Sequence, residues 1–443
     1  MKLSHVVGMA GAARAAAAAL CWIVAAGAFA ADDKVVVLTS YPQETLSLFE
    51  SAFEKANPGI RAEIIWRMPR DAMPYLLEPG SHGVDVYWSA SARNYAELAK
   101  RDLLAPLPSD PALPRDIGGF PIADPKLLYR SSEIAGYGFA CNQARLAARQ
   151  LACPKTWAAL AQPEYTGRVL LPVPSKVGFA PLMYEILLQR LGWERGWALI
   201  TEFAANSTLF VPGGAFITDR VAKGDEDVGV TIDFFAQSAI ANGAALQFVY
   251  PDMIGFSPAH VAVLAGAPHP EAARKYVEFL LSDEGQRILA RPDIRKLPVR
   301  PSTYASLEPG YFNPFEAAKK QKVDFDLQAA QRRQALTSAL FDVLVTDRQM
   351  ALRELWASVR GAERLAADKG DADAVAAARH ARETLTWVPV SASQSESAEL
   401  QRGFAEQSQT WAAQIEEHRA QAAKELETLL AKLSAERHAA TDK

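Results

Sequence analysis

Hydroxyl side chains stand where predicted strands end and predicted helices begin. They are Thr39, Ser40 and Tyr41 after a first strand, Ser89 and Ser91 after a third, and Ser175 with the cation Lys176 further along. A helix N-terminus leaves backbone N–H groups unpaired and carries a partial positive charge, so hydroxyls beside it suit an anionic oxygen. Helix capping by the same hydroxyls is the alternative. The pattern therefore predicts an anion-binding site at the ends of strands.

Four other positions extend this predicted site. Arg70 follows the second strand, and a guanidinium can bind phosphate or carboxylate through two hydrogen bonds; a surface arginine is the alternative. Gly213 and Gly214 precede a short helix and would let a backbone approach a phosphate closely, although an ordinary turn explains them equally well. Asp233 follows another strand, and we expect it to hold an arginine in place rather than to accept from a ligand hydroxyl.

Composition and missing motifs exclude several classes of protein. The 443 residues carry 47 basic and 51 acidic side chains, a net charge of −4, which disfavours nucleic-acid binding. The sequence contains no G-x-S-x-G, H-E-x-x-H or G-x-x-x-x-G-K-[ST] motif, so we expect no enzyme. His82 and His260 are isolated, and Cys141 and Cys153 have no third ligand nearby, so we expect neither a metal site nor a cofactor.

The first thirty residues are typical of an export signal. Lys2 and Arg14 form a positive region before an apolar run at 15–28, and Ala28-Phe29-Ala30 fits a cleavage site. We expect a periplasmic protein without a membrane span after cleavage; an N-terminal anchor is the alternative. In that oxidising compartment Cys141 and Cys153 could form a disulfide worth roughly 3 kcal/mol, or remain two buried thiols.

Strands alternate with helices up to about residue 300. Runs such as 34–38, 60–66 and 84–88 are separated by helical spacing, which predicts βαβ units and a parallel sheet. From about residue 316 only helical segments follow, predicted at 328–347, 349–368, 372–386 and 395–435.

Several segments occur in a familiar order: KVVVLTSY, VDVYWSAS, TWAALAQPEYTGRVLLPVPS and YVEFLLSDEGQRILA. Together they resemble extracellular solute-binding proteins of ABC importers, in the branch that includes binders of ferric ion and of phosphorylated solutes. The tail segments QRRQALTSALFDVLVTDRQMALRELW and LTWVPVSAS resemble bacterial phosphoglycerate transport regulatory proteins.

The resemblance implies an α/β protein with the type II periplasmic-binding-protein fold. Its first lobe would comprise residues 31–138 with 255–315, and its second lobe residues 139–254. Two strands would cross between the lobes, near 137–141 and 254–261, with the ligand in the cleft. Residues 316–443 would form a helical C-terminal extension, the tail.

The same resemblance implies a monomeric periplasmic receptor for a small anionic organic solute, expected to be phosphorylated. Its partner would be an ABC importer permease or a membrane sensor kinase. One alternative is ligand sensing in a two-component system without transport. Another is ferric-ion binding, but such relatives use an adjacent tyrosine pair, and the region 231–235 carries phenylalanines instead.

We expect the tail to be a docking element outside the ligand cleft. Packing of most of its apolar residues on its own lobes is the alternative. Leu426, Leu430 and Leu433 are the candidates for contacts with a partner.

Overall fold

A computed structural model describes residues 33–210, 215–320 and 325–441. Its strands are β1 (Asp33–Thr39), β2 (Ile60–Trp66), β3 (Val86–Ser89), β4 (Leu104–Ala105), β5 (Asp116–Ile117), β6 (Phe120–Pro121), β7 (Arg130–Asn142), β8 (Val169–Pro172), β9 (Thr208–Phe210), β10 (Val228–Ile232), β11 (Leu246–Val249), β12 (Phe256–Leu264) and β13 (Leu297–Pro298). Its helices are α1 (Gln43–Ala56), α2 (Pro69–Leu77), α3 (Ala92–Lys100), α4 (Gln143–Ala148), α5 (Ala180–Leu191), α6 (Trp193–Asn206), α7 (Ala215–Lys223), α8 (Asp233–Ala241), α9 (Pro270–Leu281), α10 (Asp283–Leu289), α11 (Pro314–Lys320), α12 (Leu327–Leu344), α13 (Gln349–Lys369), α14 (Ala372–Leu385), α15 (Ala392–Ser395) and α16 (Ala398–Thr441). The predicted export signal lies outside the described residues.

One mixed sheet runs through both lobes, in the order β2-β1-β3-β12-β7-β10-β8-β9. β1 pairs in parallel with β2 and β3, and β8 pairs in parallel with β9 and β10. β12 and β7 are antiparallel neighbours at the centre. The parallel pairs follow from the βαβ connections, since a helix must return the chain to the same edge of the sheet. Their carboxyl ends therefore meet at one edge in each lobe.

The chain crosses between the lobes inside β7, whose residues are all buried. β7 pairs with β12 as far as Gly136 and with β10 from Tyr137. Gly136 fits this crossing because a Cβ there would lie 2.6 Å from Cε1 of Tyr250 and 3.2 Å from Oδ2 of Asp233. The crossing thus lies at the start of the segment expected from the sequence, while the boundaries of the lobes stay a prediction.

A disulfide joins the end of β7 to the loop after α4. Cys141 is completely buried, and its Cα lies 5.8 Å from the Cα of Cys153. Of the two alternatives that the sequence left open, the structure therefore has the bonded pair. By closing a loop of twelve positions, the bond restricts the unfolded chain.

Helix α5 begins later than the sequence pattern predicted. The helix expected from residue 175 begins at Ala180, and the preceding residues form turns. Pro181 in the first turn favours this start because proline fits the first helical positions, where its missing N–H costs nothing. As a result, Gly178 and Phe179 precede the N-terminus of α5, and Ser175 and Lys176 lie in the turns before it.

The tail packs on the second lobe. On α12, Arg333 binds Glu185 of α5 through Nη2–Oε2 and Nε–Oε1 distances of 2.5 and 3.3 Å. Thr337 donates to the same carboxylate, with an Oγ1–Oε1 distance of 2.7 Å. At the C-terminus of α6, Arg353 of α13 donates to the carbonyls of Ala205 and Ser207 at 2.9 and 2.8 Å. Carbonyls at a helix end need such donors, so α13 acts as a cap for α6.

The long helix α16 packs against α12, α13 and α14. Leu426 and Leu433 are buried there, and Leu430 is partly buried. The expectation that these leucines await a partner is therefore wrong, because the tail's own helices cover them. No helix in the described ranges is long and apolar enough to cross a membrane.

Candidate functional site

The ends of β1 and β3 bring two of the predicted hydroxyls together. The Oγ atoms of Ser40 and Ser89 lie 3.2 Å apart, as expected for residues that end parallel neighbouring strands. Oγ1 of Thr39 accepts a hydrogen bond of 3.2 Å from the backbone N–H of Tyr41, so Thr39 organises this turn. Whether these residues bind a ligand stays a prediction.

A cavity of about 350 Å³ lies between the lobes and the tail. Residues from the first lobe, the crossover strands, the second lobe and the tail line it: Pro69, Ala90, Ser91, Ala92 and Arg93; Tyr137 and Ser257; Gly178, Phe179 and Leu182; and Leu327, Ala330, Gln331 and Gln334. The starts of α3 and α5 therefore meet at one cavity. Each helix start carries a partial positive charge that favours an anion, although at α5 Pro181 has no N–H and the N–H of Ala180 donates to the carbonyl of Val177 at 3.0 Å.

A larger, more polar groove of about 990 Å³ continues from this cavity. The two share Arg93, Gly178, Gln331 and Gln334. Arg332 and Asp342 of α12 line only the groove. The expectation that the tail stays outside the cleft is therefore wrong for α12, which forms one wall of both spaces.

Ser175 lines the groove rather than the cavity. Its hydroxyl donates to Oδ1 of Asp342 at 3.1 Å, so it fixes the turn before α5 to the tail. Lys176 is exposed and lines neither space. The prediction that these residues present hydroxyl and ammonium at the start of a helix is wrong, because the helix begins five residues after Ser175.

Arg70 also lines neither space, although the adjacent Pro69 lines the cavity. Its side chain is 83% exposed, and its Nε lies 3.4 Å from Oδ1 of the adjacent Asp71. The structure therefore favours the surface arginine that the sequence left as an alternative. Gly213 and Gly214 lie outside the described residues.

Asp233 is completely buried beside the crossing in β7. Its Oδ2 accepts from the N–H of Gly136 at 2.6 Å and from the hydroxyl of Tyr250 at 2.9 Å. Its Oδ1 accepts from the N–H of Phe234 at 2.7 Å. Burial raises the pKa of Asp233 to about 7, although these donors favour the charged form. The expectation that Asp233 holds an arginine is therefore wrong, because its carboxylate binds the backbone of the crossing strand β7 at Gly136.

Tyr41 is buried and stacks on Trp88, with ring centroids 4.2 Å apart. Burial and the nearby carboxylate of Glu133 raise the pKa of Tyr41, so its hydroxyl stays protonated. Nζ of Lys296 lies 2.9 Å from Oε1 of Glu133 and 3.8 Å from the ring centre of Phe234. Tyr41 therefore belongs to the packed floor between the lobes.

The part of the chain that the structure describes contains no group of three or more His, Cys, Asp and Glu side chains able to hold a metal. His260 is fully buried, and burial lowers its pKa to about 3, so it is neutral. Phe234 and Phe235 occupy the region where ferric binders would carry tyrosines, and phenylalanine has no ligand atom. The donors around the cavity suit an anion instead.

Several lining residues were missed by sequence reasoning. Arg93 lies two residues after Ser91 and could have been included from its place at the start of α3. Gln328, Gln331, Ala335, Ser338 and Asp342 recur at steps of three and four residues, which places them on one face of α12. That mainly polar stripe was the available signal for a helix face that meets solvent or ligand.

Comparisons with known proteins agree with this architecture. Residues 84–326 match the model of the bacterial extracellular solute-binding protein family. The chain is also 30% identical over 346 residues to the phosphoglycerate transport regulatory protein PgtC of Salmonella typhimurium, covering 76% of this chain and 78% of that one. The protein belongs to the bacterial extracellular solute-binding family.

Two solved members of the same fold illustrate the range of neighbours. The periplasmic binding protein AfuA of Actinobacillus pleuropneumoniae, solved with fructose-6-phosphate, has a TM-score of 0.54 and 20% identity and covers 70% of this chain and 98% of its own. Iron-bound HitA of Pseudomonas aeruginosa has a TM-score of 0.55 and 18% identity, with 69% and 99% coverage. These matches confirm the expected type II periplasmic-binding fold. They leave about 30% of this solute-binding protein without a counterpart.

Proposed function

We propose that this protein is a periplasmic receptor that captures a small anionic organic solute, expected to be phosphorylated, between its two lobes. The observation that carries the proposal is the cavity at which the starts of α3 and α5 meet. Two helix N-termini, the hydroxyls of Ser91 and Ser257 and the amides of Gln331 and Gln334 provide donors there, and the lining contains no carboxylate. The relationship to a protein named for phosphoglycerate transport supports the same solute class.

Delivery to a membrane partner completes the proposal. An ABC importer permease would receive the solute, or a membrane sensor kinase would respond to the loaded receptor. The contact between the tail and the cavity favours a sensing contribution, because a change at the solute would reach α12 directly. Uptake of radiolabelled 3-phosphoglycerate by cells lacking the gene separates the two. Loss of uptake while importer genes are still transcribed supports delivery, and loss of their induction supports sensing.

Binding is tested by thermal shift and calorimetric titration of the mature chain. The probes are 3-phosphoglycerate, fructose 6-phosphate, a phosphonate and ferric citrate. A bound solute at 100 times its dissociation constant adds about 2.7 kcal/mol to the free energy of unfolding, so we expect a phosphorylated probe to raise the melting temperature. Stabilisation by ferric ion together with no effect of any phosphorylated probe would replace this proposal with iron binding.

A matched pair of variants locates the site. We expect Ser91→Ala to weaken binding of the stabilising probe about tenfold, or about 1.4 kcal/mol, because its hydroxyl lines the cavity. Ser358→Ala is the control, since that hydroxyl donates to the carbonyl of Glu354 within α13, 3.2 Å away. Equal affinities of both variants would place the solute elsewhere.

A further inference from the structure

The ion pair between α12 and the second lobe fixes one wall of the solute cleft. Arg333 and Glu185 are almost completely buried, and Nη1 of Arg333 also lies 3.5 Å from Oε1 of Glu396. Arg333 further contacts the ring of Trp193, with Cζ 5.3 Å from its centroid. Because these contacts hold α12 on the second lobe, the next residue toward the N-terminus, Arg332, has a defined place on the groove side of that helix.

Two arginines reach this groove from different parts of the molecule. Arg93 comes from the first lobe and Arg332 from the tail. Both are exposed, and within the described ranges neither makes a hydrogen bond or an ion pair. The carboxylate nearest to Arg93 in sequence, Glu97, is paired with Arg101 at 2.6 Å. The groove therefore carries cations whose charges are not offset by ion pairs.

One carboxylate, Asp342, lines the same groove. Its Oδ1 accepts from Ser175 and from Thr346, at 3.1 and 2.9 Å. These bonds hold the carboxylate of Asp342, which lies near the C-terminus of α12, against the turn before α5. Arg332 lies ten positions earlier on the helix, about 15 Å along its axis, so the two charges are not paired.

We infer that the tail supplies a second anion subsite of the solute site, in which Arg332 and Arg93 bind a second negative group of the solute. This rests on the proposed function. The inner cavity offers hydroxyls and helix N-termini for one anionic group, and the adjoining groove adds the guanidinium of Arg332, while Arg93 lines both spaces where they join. The solute class that fits is a small organic molecule with two anionic groups, such as a phosphorylated hydroxy acid.

Calorimetric titration of the mature chain with two probes tests the inference. 3-Phosphoglycerate has a phosphate and a carboxylate, whereas glycerol 3-phosphate has the phosphate alone. We expect the wild-type protein to bind 3-phosphoglycerate at least tenfold more tightly. Arg332→Gln should weaken 3-phosphoglycerate about tenfold and change glycerol 3-phosphate less than twofold, so that the preference largely disappears. Arg93→Gln should weaken both probes, and 3-phosphoglycerate more strongly, because Arg93 lines the inner cavity as well as the groove.

Arg364→Gln is the matched control, because Arg364 is an exposed arginine on α13 that lines neither space. It should leave both affinities unchanged, and the melting temperatures of all ligand-free variants should agree with that of the wild type. Wild-type affinity of Arg332→Gln for 3-phosphoglycerate, with binding by the wild type intact, would overturn the inference and leave the proposed function standing. Failure of the wild type to bind any phosphorylated probe would overturn both.

Discussion

Asp233 lies where β7 crosses between the lobes, and Glu185 lies where the tail packs on the second lobe; neither side chain is exposed to solvent. Asp233 accepts hydrogen bonds from the two backbone N–H groups and one tyrosine hydroxyl described above, all of them neutral. Glu185 accepts from the guanidinium of Arg333 and from Thr337. Both carboxylates are removed from water, but neutral donors stabilise the one at the crossing, whereas a cation stabilises the one at the tail contact.

The difference has a consequence for what each contact can do. Burial raises the pKa of Asp233 to about 7 against its neutral donors, so this carboxyl can gain or lose a proton near physiological pH. Burial also raises the pKa of Glu185, but Arg333 opposes this shift. Removing one partner of such a pair leaves a buried charge uncompensated, so the tail contact depends on both residues being present. The protonation state at the crossing can therefore change with pH, whereas the tail contact is stable only while both Arg333 and Glu185 are present.

Breaking the ionic contact should have the largest effect. Arg333→Ala leaves Glu185 buried without its cation, and we expect a loss of about 3–5 kcal/mol in the free energy of unfolding. The tail should also become accessible to limited proteolysis. Urea unfolding followed by circular dichroism and by tryptophan fluorescence measures the loss.

A double replacement and a surface pair serve as controls for that change. Glu185→Leu combined with Arg333→Met should recover most of the stability, since apolar groups of similar size can replace a buried pair. Arg348→Ala removes a half-exposed pair within the tail, in which Nε lies 2.7 Å from Oε2 of Glu416, and should cost far less. A loss from Arg333→Ala no greater than that of Arg348→Ala would show that the ion pair does not hold the tail.

Replacing the neutral contact should change the pH dependence of stability. Between pH values of about 4 and about 7, native Asp233 keeps a proton that the unfolded chain has already lost, so stability falls as pH rises through this range. One such group contributes a slope of up to about 1.4 kcal/mol per pH unit. Asp233→Asn removes this contribution, and melting temperatures measured from pH 4 to 8 should fall less steeply than in the wild type.

The asparagine amide meets one of the three donors with a donor of its own, so we also expect a constant loss of stability at every pH. Glu185 adds a slope of the same sign in both proteins, because burial raises its pKa as well. The comparison is therefore between the two pH profiles. Parallel profiles would mean that Asp233 is ionised throughout.

How much of this the sequence predicted depends on the range of the contacts. Local patterns predicted Ser40 and Ser89 at the ends of strands in one parallel sheet, and the structure places their hydroxyls together there. The four long tail helices were likewise confirmed to within a few residues, apart from the end of α16. The wall formed by α12 was missed, because it depends on a contact between residues 148 positions apart, Arg333 and Glu185. Polar residues on one face of a helix predict that this face contacts solvent, but they do not indicate which part of the protein lies across from it.

The assigned role of Asp233 failed for a related reason. An aspartate after a strand suggests a ligand contact or an ion pair, and nothing local indicates that a glycine N–H from another strand will meet it. Arg70 failed because a guanidinium near a strand end can equally point to solvent, as its 83% exposure shows. Side-chain direction beyond a strand end is set by packing that the local sequence does not encode.

Removing one neutral donor of Asp233 should have the smallest effect on stability of these changes. Tyr250→Phe deletes the hydroxyl that donates to Asp233, which favours the charged carboxylate. We expect the pKa of Asp233 to rise above about 7 and stability to fall by about 1 kcal/mol, with a greater loss at pH 8 than at pH 5 because only the charged form loses a strong bond. Tyr184→Phe is the control: that buried hydroxyl donates to the carbonyl of Pro172 at 2.9 Å, which does not titrate, so its loss should be the same at both pH values. A pH-independent loss in Tyr250→Phe would mean that Asp233 does not change its protonation state near neutral pH, and the two buried carboxylates would then differ in their partners alone.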